Sequence, residues 1–264
     1  QGYNHSGWWT EEKKDKDGNE ITLCHPNARY TLRIEELENA DEHLHSSEGV
    51  QIDAILFGGR DSDTTVPVAE SLDWTHGVFI GATIESETTS ATLGQAGLRK
   101  SSPMANMDFI IVPLSKYFHN YLKFGKELDN CPKIYSTNYF LKGDHGKYLN
   151  TKLDKKVWVL WAEGRIHGEF EGIKTPIGVL PKYDDLKKLF AKVFDGRVYT
   201  REEYVQQFSI RLDKYLEKYH RMDELFQQEP DMPQELWSEL HRIVEELQVL
   251  KQKHKKTILS PFDL

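Results

Sequence analysis

The first group of residues with chemical potential is Cys24-His25-Pro26-Asn27-Ala28-Arg29. Pro26 restricts the backbone, so the amide of Asn27 and the guanidinium of Arg29 can project from one rigid turn. A guanidinium can bind a carboxylate or a phosphate through two parallel hydrogen bonds. The group therefore indicates an anion-binding turn, although an ordinary polar turn with a surface arginine is the more frequent meaning of this spacing.

A second group, Gly58-Gly59-Arg60, follows an apolar segment, Ile52–Phe57, that is typical of a β-strand. Two glycines allow a backbone to come close to a ligand, and Arg60 adds a positive charge at the carboxyl end of the strand. Ligands of open α/β sheets bind at that end. The pattern favours a ligand contact for Arg60, with a plain turn as the alternative.

Two further segments could contribute to a site. Residues 86–97 are rich in small, hydroxylic and glycine residues, and their number is that of a compact Ω-loop. They indicate either a lid or a plain surface loop. Aromatic residues occur at Tyr139, Phe140 and Tyr148, where each stacked base would gain about 1–3 kcal/mol. Packing in the core is the alternative for these rings.

These groups must be positioned by strands and helices that alternate along the chain. Short apolar runs covered on both faces predict an α/β protein with a mixed sheet and flanking helices. The predicted strands are Ile52–Phe57, Gly77–Gly81, Phe109–Val112, Lys133–Tyr135 and Val157–Trp161. An Asp-Gly signal within Lys13–Asn19 predicts a hairpin turn.

Helices are predicted from periodic apolar positions and from capping residues. One begins at Leu114, and another is capped by Asp184. Thr200-Arg201-Glu202-Glu203 has the pattern of a capping box and predicts a helix that continues through Tyr219. A further helix opens at Pro233, and the last two helices are expected to pack as an antiparallel hairpin. The last helix has an apolar seam at Leu236, Leu240, Ile243, Leu247 and Leu250, which is expected to face the core.

Composition excludes several classes of protein. The chain has 264 residues, with 42 acidic and 34 basic side chains and a formal charge of −8, which argues against a nucleic-acid binder. Its apolar runs are much shorter than the ~20 residues of a membrane helix. The cysteines, Cys24 and Cys131, lack the spacing of a zinc site or of a disulfide framework, so a cytoplasmic setting is expected. The sequence contains no GxxxxGK[ST], GxSxG or HExxH motif.

Several motifs in one order resemble the GTP-dependent phosphoenolpyruvate carboxykinase family. The likeness runs from about Cys24 to Leu250 and is strongest between Gly58 and Gly178. The motifs are His25–Arg29, Phe57–Arg60, Asp73–Thr83, Ser86-Glu87, Pro103–Ala105, Pro132–Ile134, Asn138–Phe140, Gly146–Tyr148 and Thr175–Gly178. The resemblance implies the C-terminal part of that family's nucleotide-binding lobe, ending in the helical hairpin.

Enzymes of this family convert oxaloacetate and GTP to phosphoenolpyruvate, CO2 and GDP in gluconeogenesis, with Mn2+ or Mg2+. The resemblance implies that Arg29 and Arg60 are catalytic and that Asn27, Ala28 and Arg29 bind substrate. It implies nucleotide contacts at Arg60, Tyr139, Phe140, Tyr148, Leu153, Asp154, Lys155 and Lys156. It also implies a lid over residues 87–100 that includes Glu87, Thr88, Thr89, Ser90, Ala91, Gly94 and Gly97.

The chain departs from the family pattern at three places. Asp61 stands where a second Arg is usual, and Glu85 stands where an Arg often precedes Ser-Glu. Leu153-Asp154-Lys155-Lys156 replaces an aromatic residue followed by Gly-x-Asn, which removes one stacking face worth about 1–3 kcal/mol.

The resemblance covers less than half of a family member. The phosphate-binding loop and the metal ligands are therefore expected in a part that precedes Gln1, and the chain alone is expected to be inactive. Its predicted organisation is a polar arm with the substrate turn (1–48), a nucleotide- and substrate-binding core (49–182) and a helical section (183–264). The expected partners are oxaloacetate, phosphoenolpyruvate, GTP and the missing N-terminal part, with no nucleic acid and no membrane. The alternative is a non-catalytic module that binds a nucleotide, an anion or a protein partner.

Overall fold

The computed structural model describes residues 9–14, 17–18, 20–24, 36–38, 42–61, 66–87, 99–100, 113–138 and 152–264. The chain forms two compact units, Gln1–Ile52 and Asp53–Leu264. In the first unit, strand β1 (Trp9–Lys14) pairs antiparallel with β2 (Glu20–Cys24), which confirms the predicted hairpin. A short 3-10 helix covers Glu42–His45. The predicted division at residues 48 and 182 stays a prediction.

The second unit combines strands with helices. Its described strands are β3 (Ala54–Gly59), β4 (Val68–Glu70), β5 (Ser86–Glu87), β6 (Arg99–Lys100), β7 (Lys133–Asn138), β8 (Gly172–Thr175), β9 (Gly178–Pro181), β10 (Ile210–Arg211) and β11 (Ile258–Leu259). Its described helices are α1 (Trp74–Thr83), α2 (Leu114–Glu127), α3 (Lys155–Ile166), α4 (Tyr183–Val193), α5 (Arg201–Phe208), α6 (Leu212–Gln228) and α7 (Gln234–His254).

The central sheet has five strands in the order β3-β7-β4-β9-β8. Strands β3 and β7 are parallel, and the other neighbouring pairs are antiparallel, so the predicted mixed α/β sheet is confirmed. Helices cover both faces of the sheet. Two adjacent residues of β7, whose side chains point to opposite faces, show this. Ile134 of β7 lies against Gly77 of α1, whereas Tyr135 makes an edge contact with Trp161 of α3.

Two segments predicted as strands are helices. Gly77–Gly81 belongs to α1, and Val157–Trp161 belongs to α3. Both predictions were wrong for different reasons. Helix α1 is buried on nearly all sides, so its apolar run resembles that of a strand, whereas in α3 the exposed Val159 and the half-buried Leu160 complete an apolar run that does not follow burial. The glycines of α1 permit a close approach to the sheet: a Cβ on Gly81 would lie 2.7 Å from Cζ of Phe57.

The remaining predicted elements differ mainly at their ends. Strands β3 and β7 and helix α2 agree with the prediction, and Phe109–Val112 lies outside the described residues. Helix α4 is preceded by Lys182 as its N-cap, so Asp184 lies in the first turn and is not the cap. The helix predicted from Thr200 through Tyr219 is interrupted after Phe208 by β10.

The C-terminal helices form the predicted hairpin. Helix α6 packs on α7, and the two are joined by residues 229–233. Strand β10 directly precedes α6, and β11 follows α7; their antiparallel pairing brings Ile210 opposite Leu259 and ties the two ends of the hairpin together. Of the five predicted seam residues, Leu236, Leu240, Ile243 and Leu247 are buried in the protein's own core, and Leu250 is partly buried against it.

A buried ion cluster joins the sheet to α3. The Glu70 carboxylate of β4 accepts hydrogen bonds from Nε and Nη2 of Arg165, each at 2.8 Å, and from the Tyr135 hydroxyl at 3.1 Å. Nζ of Lys133 lies 3.4 Å from Oε1 of Glu70. Burial by itself raises the pKa of Glu70, but the hydrogen bonds and positive charges of Arg165, with Lys133 and Tyr135, outweigh burial and hold this pKa below its ordinary value. The carboxylate therefore stays ionised and connects three elements.

We expect the capping box of α5 to contribute measurably to stability. The Thr200 hydroxyl accepts a hydrogen bond from the Glu203 amide at 3.1 Å, and the Glu203 carboxylate accepts one from the Thr200 amide at 2.9 Å. Thr200→Ala should lower the free energy of unfolding by about 1 kcal/mol, measured by chemical denaturation. Thr200→Ser keeps the hydroxyl and should lose much less; equal losses would contradict this role.

Acid should destabilise the fold through His76 of α1. Its side chain is 1% exposed, and Nδ1 accepts a hydrogen bond from the Leu72 amide at 3.0 Å. Burial, aided by the charge of Arg242, lowers the pKa of His76 from 6.5 to about 3. Because the unfolded chain binds this proton more readily, stability contributed by neutral His76 is complete above pH 6.5 and falls below it, by up to about 1.4 kcal/mol per pH unit.

Unfolding free energies measured between pH 8 and pH 5 check this expectation. The asparagine of His76→Asn supplies an acceptor in place of Nδ1 but does not titrate. The stability of this variant should therefore fall less steeply with decreasing pH than that of the unsubstituted chain. His167→Asn, at an exposed position, is the matched control and should keep the parent slope. The same slope in all three proteins would contradict the role of His76.

Candidate functional site

The candidate site lies at the carboxyl ends of β3 and β7. These strands are parallel neighbours, and their register places Gly59 opposite Asn138. Both strands therefore end at the same edge of the sheet, where α/β proteins commonly bind ligands. Arg60 follows directly after β3, and its side chain is half-buried. The sequence-based prediction that Arg60 stands at a strand end is confirmed, while its contact with a ligand stays a prediction.

The side chain of Asn138 fixes the backbone beyond Arg60. Its Oδ1 accepts a hydrogen bond from the Asp61 amide at 3.1 Å, and its Nδ2 donates one to the Asp61 carbonyl at 2.9 Å. Asn138 and Asp61 are 2% and 1% exposed, so both hydrogen bonds are shielded from water. Arg60 thus lies between Gly59, which pairs with β7, and Asp61, whose backbone N–H and carbonyl are both bound by the Asn138 side chain.

The segment after α1 approaches the same strand end. A Cβ on Gly59 would lie only 2.7 Å from the backbone oxygen of Glu85 and 3.0 Å from Cγ1 of Ile84. A glycine is required here because any larger residue would collide with this segment. The Glu85 side chain is fully buried, and its carboxylate accepts hydrogen bonds from Arg221 of α6.

Both ends of the predicted lid are joined by a short sheet. Strand β5 contains Glu87, the first predicted lid residue, and pairs antiparallel with β6, so that Ser86 lies opposite Lys100 and Glu87 opposite Arg99. The residues between these strands lie outside the described ranges. They include the predicted lid residues Thr88, Thr89, Ser90, Ala91, Gly94 and Gly97.

The four residues predicted to face a base open helix α3. The Leu153 side chain is fully buried in the hydrophobic core, and Asp154 caps the helix by accepting a hydrogen bond from the Lys156 amide at 2.8 Å. Lys155 and Lys156 are exposed. Leu153 therefore offers no exposed surface for a base, and a contact made by this segment would fall to the two lysines or to the backbone.

A group of lysines surrounds the start of α3. Burial, followed by the positive charge of Lys155, lowers the pKa of Lys152. Cations at a helix N-terminus also face the positive end of the helix dipole. In this segment the three lysines, Lys152, Lys155 and Lys156, outnumber the one carboxylate, that of Asp154.

Other predicted residues lie outside the described ranges. They are the substrate residues Asn27, Ala28 and Arg29 and the aromatic residues Tyr139, Phe140 and Tyr148. Their proposed contacts stay predictions.

The described ranges bring together no three His, Cys, Asp or Glu side chains as a metal site. By themselves, the described residues provide no ligand set for a divalent metal. Within the same ranges, none of the helices has the length and apolar character that crossing a bilayer requires.

Sequence reasoning missed two interactions at this edge. Asn138 lies three residues beyond the end of the predicted strand Lys133–Tyr135 and is the last residue of β7, and only the aromatic residues next to it were interpreted from the sequence. The partner of Glu85 lies 136 residues away on α6, and no local pattern indicates it.

A mixed sheet covered by helices, with polar groups at the ends of two parallel strands, defines an α/β protein with its candidate site at that edge. Residues 1–246 match the family described as phosphoenolpyruvate carboxykinase C-terminal P-loop domain. The chain belongs to this family, which confirms the resemblance found in its motifs.

Curated relatives carry the name phosphoenolpyruvate carboxykinase (GTP). The chain is 47% identical over 268 residues to that of Thermococcus sibiricus, covering 99% of this chain and 42% of the relative. It is 47% identical over 266 residues to that of Pyrococcus abyssi, covering 100% and 43%. For Saccharolobus solfataricus the identity is 45% over 265 residues, covering 100% and 42%. The chain therefore spans less than half the length of these relatives.

Removing the Asn138 amide should weaken the strand end selectively. Asn138→Ala leaves the buried N–H and carbonyl of Asp61 unpaired, at a cost of about 1–3 kcal/mol for each group. We expect a loss of about 2–4 kcal/mol in the free energy of unfolding, measured by urea denaturation. Thr137→Val is the control, because Thr137 makes one longer hydrogen bond of 3.3 Å, to the Phe57 carbonyl. An equal or smaller effect for Asn138→Ala would contradict the role assigned to the amide.

Proposed function

We propose that this chain is the C-terminal part of an enzyme that converts oxaloacetate and GTP to phosphoenolpyruvate, CO2 and GDP, a carboxy-lyase of gluconeogenesis. The observation that carries the proposal is the match of nearly the whole chain, at 45–47% identity, to relatives named for that activity. Decarboxylation of oxaloacetate leaves an enolate, whose oxygen then accepts the terminal phosphoryl group of GTP.

Arg60 is proposed to bind the phosphates of the nucleotide and to stabilise negative charge during phosphoryl transfer. A guanidinium suits this role because it remains charged and binds phosphate oxygens in pairs. Its place after β3, beside a backbone held by Asn138, supports the proposal because catalysis by positioned charge requires a rigid frame. Asn27, Ala28 and Arg29 are proposed to contact the substrate.

The nucleotide base is proposed to contact Tyr139, Phe140, Tyr148 and the start of α3. Three lysines, Lys152, Lys155 and Lys156, against the single carboxylate of Asp154 support an anionic ligand near that helix. Because none of the residues 153–156 is aromatic and Leu153 is buried, the segment offers no ring for stacking, which should reduce selectivity for guanine.

Further parts of the proposal concern water and metal. Residues 87–100 are proposed to form an Ω-loop lid that excludes water and so protects the enolate from protonation to pyruvate. The pairing of β5 with β6, which joins the ends of this segment, supports the proposal. A bound Mn2+ or Mg2+ would supply positive charge at the phosphates. The cytoplasm is the proposed location because the two cysteines lack the spacing of a disulfide framework.

A non-catalytic nucleotide- or anion-binding module is the second candidate. Asp61 favours it, because this residue places a buried acidic side chain where the resembling family usually has a second arginine.

Assays with and without the upstream residues of the parent protein distinguish the two candidates. The chain alone should show no GTP-dependent decarboxylation of oxaloacetate, whereas the intact parent should form phosphoenolpyruvate. A folded parent that binds GTP without turnover would favour the module and overturn the enzyme.

Substitution of Arg60 tests its role in the intact parent. Arg60→Ala should lower kcat by about 10²-fold or more with little change in melting temperature, because it removes charge from the transition state. Arg60→Lys keeps the positive charge but not the planar guanidinium, so its kcat should lie between those of the unsubstituted enzyme and Arg60→Ala. Arg197→Ala, which removes a half-exposed arginine paired with Glu203, is the control and should keep normal turnover. Normal kcat with a large loss of melting temperature in Arg60→Ala would contradict the proposal.

A further inference from the structure

The Glu85 carboxylate is buried but is held by an arginine from a distant helix. Its side chain is 1% exposed, and Nη2 of Arg221 donates to both carboxylate oxygens at 3.1 Å. Nε of Arg221 adds a third hydrogen bond of 3.3 Å to Oε1. A buried carboxylate needs such a partner, because removal from water strongly disfavours an unpaired charge.

This ion pair acts on a segment that touches the candidate site. The backbone oxygen of Glu85 lies so close to Gly59 that the glycine has no room for a Cβ. Gly59 is the last residue of β3 and directly precedes Arg60. Glu85 therefore contacts the strand end through its backbone and α6 through its carboxylate.

Arg221 connects the helical hairpin to the segment that contains Glu85. It lies in the middle of α6, whose side chains Tyr215, Tyr219 and Met222 are buried in the core. The Arg221 side chain is 28% exposed, and its Nη1 lies 3.4 Å from Oε1 of Glu217 on the same helix. The Arg221 side chain is therefore fixed to its own helix through Glu217. Its other partner, Glu85, contacts the end of β3 through its backbone oxygen.

We propose that Arg221 is a positioning residue for Arg60. By holding Glu85, it presses residues 84–85 against Gly59 and so limits the movement of the strand end from which Arg60 projects. The physical claim concerns only the described residues, while its consequence for phosphate binding rests on the proposed function.

Hydrogen exchange of the full chain, without any ligand, tests the physical claim. Arg221→Met removes the guanidinium that donates three hydrogen bonds to Glu85, so amide exchange in residues 57–61 and 84–87 should rise about tenfold or more. Arg197→Met is the matched control, because Arg197 is 45% exposed, lies outside α1 and α6, and pairs with Glu203. This control should leave exchange at the strand end unchanged.

Conservative variants separate positioning from general loss of structure. Arg221→Lys keeps a charge near Glu85 and should restore much of the protection. Glu85→Gln keeps the side-chain shape without its charge, and should raise exchange in residues 57–61 by a smaller factor. If Arg221→Met does not fold, Glu85→Gln and Arg221→Lys still decide the question.

Unchanged exchange at residues 57–61 in every folded Glu85 and Arg221 variant would overturn the proposal. An equal increase in Arg197→Met would also overturn it, because the effect would then be general.

The intact parent provides the functional readout. Arg221→Met should weaken GDP binding about tenfold and lower kcat, while the KM for oxaloacetate changes little, and Arg221→Lys should rescue both properties. Raised exchange with unchanged GDP binding would overturn the link to Arg60. A parent without any turnover would refute the proposed activity but would leave the exchange result to decide the positioning role.

Discussion

The parallel pairing of β3 with β7 is the constraint on which the rest of the second unit depends. It sets Gly59 opposite Asn138, and this register allows one side-chain amide to bind both backbone polar groups of Asp61. The hydrogen bonds are buried, so breaking them offers no compensating contact with water. Arg60 is thereby placed between two backbone positions that are both held.

Local signals predicted the parts of the fold that depend on neighbours in sequence. The capping box at Thr200 and the seam of α7 are set by residues three or four apart, and both were visible in the sequence. The glycine-arginine end of β3 was also visible, because the apolar run that precedes it is unambiguous. Segments of α1 and α3 were mistaken for strands: burial on several sides hides the helical period in α1, and an exposed apolar residue, Val159, hides it in α3.

Contacts between distant residues could not be predicted in this way. Glu85 and Arg221 are separated by 136 residues, and nothing around either side chain specifies the other. Asn138 was noticed only as a neighbour of aromatic residues, because a single sequence does not reveal which strands pair. Family motifs supplied roles for Asn27, Arg29 and Arg60, but the buried position of Leu153 emerged only from the packing of α3.

The helical hairpin is held at both extremities, which affects how this unit melts. Pairing of β10 with β11 closes its base, while Nε2 of His119 in α2 lies 2.9 Å from the Asp231 carbonyl at its tip. A helix restrained in this manner loses its order as a whole and not by gradual fraying. Since Arg221 ties the middle of α6 to Glu85, heat should release the hairpin and the edge of the sheet in one cooperative transition.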